Sequence, residues 1–204
     1  MRTLILVPII HTKHDLGSLL ESTKIEYVAR FGLIKWAQHL DAIAEFWDGI
    51  HAVITALELP CASVRLYQDG LPVCGKEAEI VKDVAAQGSK NHQLLAQLMQ
   101  QGCRLMGTED PRLLLQEYQF HQGALRAGGQ DSPREDQSLR LLAERDRFIA
   151  ARIDATLAVG EIGLLFLGLA HNVAPLLPDD ILVRNLLPSL KPTPTPTPTP
   201  GATP

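Results

Sequence analysis

Positive charge is in short supply in this chain. Its 19 Lys and Arg are outnumbered by 23 Asp and Glu, for a net charge of −4 over 204 residues, and the basic residues are scattered among acids. A nucleic-acid surface needs a basic stripe or patch to meet phosphates, so no nucleic-acid partner is expected. Long apolar runs are also missing. The longest later run, Ile162 to Ala170, is about half of what a membrane span requires, so no membrane partner is expected either. The first residues carry Arg2 and an apolar stretch, but Pro8 interrupts it. The stretch then runs into His11-Thr12-Lys13-His14-Asp15 with no small-residue cleavage site. A soluble, cytoplasmic protein is the expectation. Cysteine is scarce: Cys61, Cys74 and Cys103 stand at wide, unequal spacing and form neither a CxxC pair nor an even disulfide set. That usage fits a reducing compartment, with the thiols acting as small apolar core groups.

What the chain does have is apolar content, 46% of its residues, enough for one α/β domain with a sizeable core. We assign residues 1–188 to that domain. From Lys191 onward Pro and Thr alternate in a polyproline II pattern without apolar residues, so 189–204 is expected to be a disordered tail. Leu4-Ile5-Leu6-Val7-Pro8-Ile9-Ile10 and Ile162 to Ala170 read as buried strands that end in polar residues. Val64 and Leu66 alternate with Arg65 and Tyr67 as a strand does, closed by Asp69-Gly70 and Pro72. Cys103 to Asp110 reads as a further strand ending in acids, and Pro111 suits the first turn of a helix.

Between these strands lie helical stretches. Asp15-Leu16-Gly17-Ser18 reads as a turn and cap before a long helical region. Trp36, Leu40, Ile43, Trp47, Ile50, Ile54 and Leu57 recur there at steps of four and three, an amphipathic stripe that faces either the core or a second copy. Residues 77–87 read as a helix, and Ser89 caps another that runs through Leu94, Leu95 and Leu98 to Gly102. Residues 127–135 read as a polar loop. The helix from about Asp136 to Val159 carries Leu139, Leu142, Ile149, Ile153 and Leu157 on one side, with Gly160 ending it. A small helix or strand is expected over 181–187. Strands separated by helices of this length give a mainly parallel sheet of about three to five strands, flanked by helices and joined by right-handed crossovers.

In such a sheet, ligands bind beyond the carboxyl ends of the strands. The residues expected there are His11 with His14 and Asp15, Asp69, Glu109 with Asp110, and His171 with Asn172. Two neutral imidazoles and one or two carboxylates suit a divalent metal. The same set suits a metal-free hydrolase in which a carboxylate–histidine pair activates water. Asp110, directly before a proline, reads first as a helix cap. His39, His51, His92 and His121 fall within helices, on faces expected to be solvated.

A family resemblance enters through Arg145-Asp146-Arg147-Phe148-Ile149-Ala150-Ala151-Arg152-Ile153 followed by Leu165-Phe166-Leu167-Gly168-Leu169-Ala170-His171. An Arg-Asp helix before a strand ending in Gly-x-x-His resembles the C-terminal half of the TraB/TIKI group, related to erythromycin esterase and ChaN-like haem-binding proteins. Pro8-Ile9-Ile10-His11 would be the N-terminal counterpart, with proline where that group carries glycine. The resemblance implies a hydrolase or metal-dependent peptidase site. His11 and His171 would bind a metal or polarise water, Glu109 or Asp69 would act as base or third ligand, and Arg145 would hold an oxyanion or a substrate carboxylate. The metal set it implies is His11, His171 and Glu109. The bland alternative for Arg145 and Asp146 is a pair of exposed helix charges.

Three functional readings follow. The first is a TIKI/esterase-like hydrolase of a small-molecule or peptide substrate, with or without a divalent metal. The second is a haem or small-ligand binding protein on the same scaffold, with Tyr67 as a candidate axial ligand. The third is a non-enzymatic interaction protein in which the helix at 34–57 forms a homodimer or partner surface and the histidines are incidental.

Overall fold

The computed structural model describes residues 1–10, 20–127 and 132–187. His11, His14, the turn expected at 15–18 and the Pro-Thr tail lie outside the described residues. Five strands form one sheet: β1 (Arg2–Ile9), β2 (Val64–Gln68), β3 (Arg104–Met106), β4 (Ile162–Gly168) and β5 (Ile181–Asn185). Their order is β3-β2-β4-β1-β5 and every pairing is parallel, as the strand and helix pattern predicts. The helices are α1 (Leu20–Phe31), α2 (Leu33–Ala56), α3 (Glu77–Ala86), α4 (Lys90–Gln100), α5 (Pro111–Ala127) and α6 (Ser132–Thr156).

The strand order explains where the helices go. From β1 to β2 to β3 the chain moves one way across the sheet; from β3 to β4 to β5 it moves back. Right-handed crossovers therefore put the two sets of connections on opposite faces. Val7, Ile9, Val64, Leu66, Leu164 and Phe166 pack with residues of α2, α3 and α4 on one face. Leu4, Tyr67, Leu165 and Leu167 pack with Ile149, Ile153 and Leu157 of α6 on the other. With both faces covered, β1 and β4 read as near-continuous apolar runs, and Tyr67 is as fully buried as Leu66. The direction reverses between β2 and β4, so the crevice beyond their carboxyl ends is the expected ligand position.

Pro8 is accommodated by the register. Arg2 N and Leu6 O bond toward the β5 side, whereas Thr3 N bonds toward β4, so even-numbered positions of β1 direct their backbone groups at β5. That pairing stops at Leu6 opposite Asn185. Pro8 thus lies past the end of its neighbour, and its missing N–H breaks no ladder bond. At the opposite, amino edge the strands are tied by ion pairs. Arg2 is buried and donates to both Asp180 oxygens at 2.7–2.8 Å, while Arg65 holds Glu161 at 2.6 and 2.8 Å.

Several boundaries differ from the sequence expectations. The long helical region is two helices, broken at Gly32, whose φ of 86° favours glycine. The stripe residues Trp36, Ile43, Trp47, Ile50 and Ile54 are buried within this chain, but α2 stops at Ala56 and Leu57 is left exposed. The strand expected over Cys103 to Asp110 spans only Arg104–Met106, because Thr108 and Glu109 turn their N–H groups back to Leu71 O. The polar loop at 127–135 is shorter than expected, since α6 begins at Ser132 with Pro133 in its first turn, where a missing N–H is harmless. That helix ends at Thr156, not Val159. Leu139 on it is exposed and Leu142 half-buried, because this first part of α6 precedes the residues that meet the sheet.

Trp47 is 2% exposed and donates its indole N–H to Ile10 O at 2.9 Å. Trp47→Ala should lower the unfolding free energy by about 3–5 kcal/mol, measured by urea denaturation.

Candidate active site

Five elements meet beyond the carboxyl ends of β2 and β4. Asp69 follows β2, Glu109 sits between β3 and α5, Glu117 is on α5, Arg145 and Asp146 are on α6, and His171 lies three residues after Gly168 at the end of β4. Arg145 is the centre. Its Nε donates to Glu109 Oε2 at 2.8 Å, Nη2 to Asp69 Oδ1 at 2.7 Å and to Glu109 Oε1, and Nη1 to Glu117 Oε1 at 2.6 Å. Glu109 is fully buried and Arg145 only 5% exposed. Glu109 Oε1 also accepts from Gly70 N at 3.0 Å.

The second part of the site is a carboxylate–histidine pair. Asp146 Oδ1 lies 2.5 Å from His171 Nδ1, and Asp146 Oδ2 accepts from Asn172 N at 2.9 Å. The other imidazole nitrogen, Nε2, is 3.5 Å from Asp69 Oδ2. That same Asp69 oxygen accepts from Gly168 N at 3.0 Å. A Cβ on residue 168 would come within 2.9 Å of it. The glycine of Gly-x-x-His is required here so that Asp69 can approach the backbone of β4.

The electrostatics follow from this packing. Burial by itself would raise the pKa of Asp69, but the His171 hydrogen bond and charge, helped by Arg145, hold it well below the usual carboxylate range. Glu109 moves the other way: burial raises its pKa and outweighs Arg145. Burial would lower the pKa of His171, but its hydrogen bond to Asp69, that carboxylate's charge and Asp146 outweigh burial and raise it. The protonated imidazole is therefore favoured over the ordinary histidine, with Asp69 as the counter-charge.

A cavity of about 610 Å³ opens onto this cluster. Asp69, Glu117, Arg145 and His171 supply its polar lining, and Ile9, Ile10, Leu114, Leu142 and Leu169 its apolar lining. It is large enough for a small ligand.

The structure brings together four of the residues singled out in the sequence: Asp69, Glu109, Arg145 and His171. His11 lies outside the described residues. Arg145 and Asp146 are buried, not the exposed pair of the bland alternative. Asp110 is a cap: Arg112 N donates to its Oδ1 at 2.8 Å. His39 is exposed, but His51 and His92 are half-buried, bonded to Gln97 and Ser89 respectively. Tyr67 is fully buried with its hydroxyl 2.9 Å from Thr156 Oγ1, so it belongs to the core and not to the cavity lining. Asp146 and Glu117 are the site residues that the sequence reading did not single out. Asp146 had a signal, since it precedes Ile149 by three and Ile153 by seven and so shares the apolar stripe of α6. Glu117 had only its three-residue spacing from Leu114.

Asp69, Glu109 and His171 each offer one ligand atom, all within 4.8 Å of one another, and the donor types suit a divalent ion. Arg145, however, already fills the cation's place by bridging Asp69 and both oxygens of Glu109. An ion bound to these carboxylates would face the guanidinium that holds them. In this arrangement the residues do not fit a resident metal.

No protein family, no curated protein and no solved structure matches the chain.

Two substitutions probe the cluster. Arg145→Met strands Asp69 and Glu109 without their cation and should cost about 3–5 kcal/mol in urea unfolding. Gly168→Ala forces Asp69 away from β4 and should cost about 1–3 kcal/mol while opening the Asp69–His171 contact.

Proposed function

We propose that the chain is a hydrolase of the TIKI/esterase-like kind, working without a metal, in which the Asp146–His171 pair activates water. The observation that carries this reading is the 2.5 Å contact between Asp146 Oδ1 and His171 Nδ1. A carboxylate at that distance takes the Nδ1 proton as its hydrogen-bond partner, so the neutral ring has its free lone pair at Nε2. His171 is one of the residues lining the cavity. The resemblance of Gly168 to His171, after the Arg145-Asp146 helix, supports the same class.

Each residue then has a definable task. Nε2 of His171 takes a proton from water as the oxygen attacks a carbonyl carbon, and returns it to the leaving group. Asp146 holds the ring and stabilises the imidazolium once it forms. Asp69, 3.5 Å from Nε2, adds a second negative charge that favours the protonated ring. Arg145 is a positioning residue: three carboxylates occupy its guanidinium, and through them it fixes Asp69. The apolar lining of the cavity suits an uncharged acyl or alkyl portion of the substrate.

The test is hydrolysis of a panel of chromogenic carboxylic esters and small peptide amides by the full chain. His171→Ala and Asp146→Asn should each reduce turnover on the order of 10²–10⁴-fold, with circular dichroism unchanged and no loss of rate in chelator. Full activity in His171→Ala overturns the proposal. Saturable ligand uptake with no turnover in the parent chain would assign the cavity to binding alone.

The raised pKa of His171 has consequences of two kinds. The general base must be neutral, so the rate should rise with pH and inflect above the ordinary histidine value of about 6.5. The folded state favours the protonated ring, so its contribution to stability is full below about 6.5 and is lost as pH rises through the elevated value. Unfolding measured across that window should show the decline in the parent chain and lack it in His171→Gln.

A further inference from the structure

We propose that Cys61 and Cys103 form a redox-active pair that closes to an intramolecular disulfide when the chain meets a low-molecular-weight disulfide such as oxidised glutathione. In the sequence these thiols stand far apart, and the fold brings them together. Their Sγ atoms are 2.6 Å apart, 42 residues distant in sequence, and a disulfide bond is about 2.05 Å. Both anchors are set by the sheet. Cys61 opens the single turn Cys61–Ser63 that leads into β2, and Cys103 directly precedes β3. Those strands pair in parallel with Arg65 opposite Arg104. The same register that builds the sheet therefore delivers the two thiols to each other.

Accessibility orders the steps. Cys61 is half-buried and Cys103 only 5% exposed, so the reagent meets Cys61 first. Burial, followed by the contact with Cys61, pushes the Cys103 thiol up to about 12, which makes it a poor first attacker. The Cys61 thiolate attacks one sulfur of glutathione disulfide, breaking that S–S bond and releasing one glutathione thiolate. Cys103 then loses its proton to solvent and attacks Cys61 Sγ of the mixed disulfide, expelling the second glutathione thiolate. The two protons lost by the protein thiols are taken up by the two glutathione thiolates. Two protein thiols are oxidised to one disulfide and one glutathione disulfide is reduced to two thiols.

Cys74 is exposed but does not compete. It lies beyond the carboxyl end of β2, whereas Cys61 lies before the amino end, so the whole strand separates them. The bond would clamp β3, which spans only Arg104–Met106 and has β2 as its single neighbour in the sheet. It would do so at the edge opposite His171, away from the proposed chemistry.

The experiment uses the full chain equilibrated in reduced and in oxidised glutathione, followed by alkylation, thiol counting in denaturant and peptide mapping. Three free thiols are expected in the reduced sample. In the oxidised sample a Cys61–Cys103 cross-linked peptide should be present, with Cys74 recovered as the free thiol or as its own glutathione adduct, and Tm should rise by about 10 °C. Cys74→Ser should retain the cross-link. A lasting glutathione adduct on Cys61 with Cys103 still free, a cross-link through Cys74, or an unchanged thiol count would each overturn the proposal.

Discussion

A guanidinium set among carboxylates in a nearly dry environment ties together elements that lie far apart in the chain. Arg145 brings the loop after β2, the segment before α5, α5 itself and α6 to one point. Transferring either charge out of water unpaired would cost several kcal/mol, so the arginine and its acids are stable only together. The exposed surface pairs, such as Lys90 with Asp48 at 3.5 Å, have no comparable hold. Once Asp69 is fixed by Arg145, one of its oxygens remains for β4 and for the imidazole, and that leftover oxygen links the structural cluster to the chemical one.

The division of labour between the sheet's two edges is a consequence of strand direction. At the amino edge, Arg2 engages Asp180 and Asp154 and Arg65 engages Glu161, and the Asp180 and Glu161 pairs clamp neighbouring strands. At the carboxyl edge the acids outnumber the cations: Asp69, Glu109, Glu117 and Asp146 surround Arg145 and His171. The excess of negative charge is what raises the imidazole's proton affinity while burial opposes it. At the amino edge the Asp180 and Glu161 pairs each favour the charged form of both members, whereas at the carboxyl edge burial and pairing pull the pKa values of the acids apart, lowering Asp69 and raising Glu109.

Much of this was legible in the sequence, for identifiable reasons. Apolar runs at Leu4 and Ile162 could hardly be other than buried strands, and the steps of four and three from Trp36 to Ile54 fixed the face of α2. Ser89 capped its helix as expected, accepting from His92 N. The end of β4 was also readable, because Gly168 and His171 combine a strand end with a motif. Asp146 was harder, since adjacent charges on a helix usually face water and only their placement in an apolar stripe says otherwise. The Cys61–Cys103 contact was not readable at all, because it depends on the register of β2 against β3, which no local pattern encodes. Boundaries such as the early stop of β3 were set by tertiary hydrogen bonds to Leu71, again beyond the reach of local periodicity.

The place of β1 in the sheet has a temporal meaning. Of the five strands described it is made first, yet its two neighbours, β4 and β5, are made last of the five. Until they arrive, Leu4 and Val7, both fully buried in the finished protein, have no sheet to join. The β2–β3 unit with α3 and α4 can pair during synthesis, whereas the middle of the sheet must wait for its C-terminal third. Closing so long a loop is slow relative to local pairing, and an unpaired apolar strand is exposed throughout that interval. During synthesis, β1 is the part of this protein that most needs shielding.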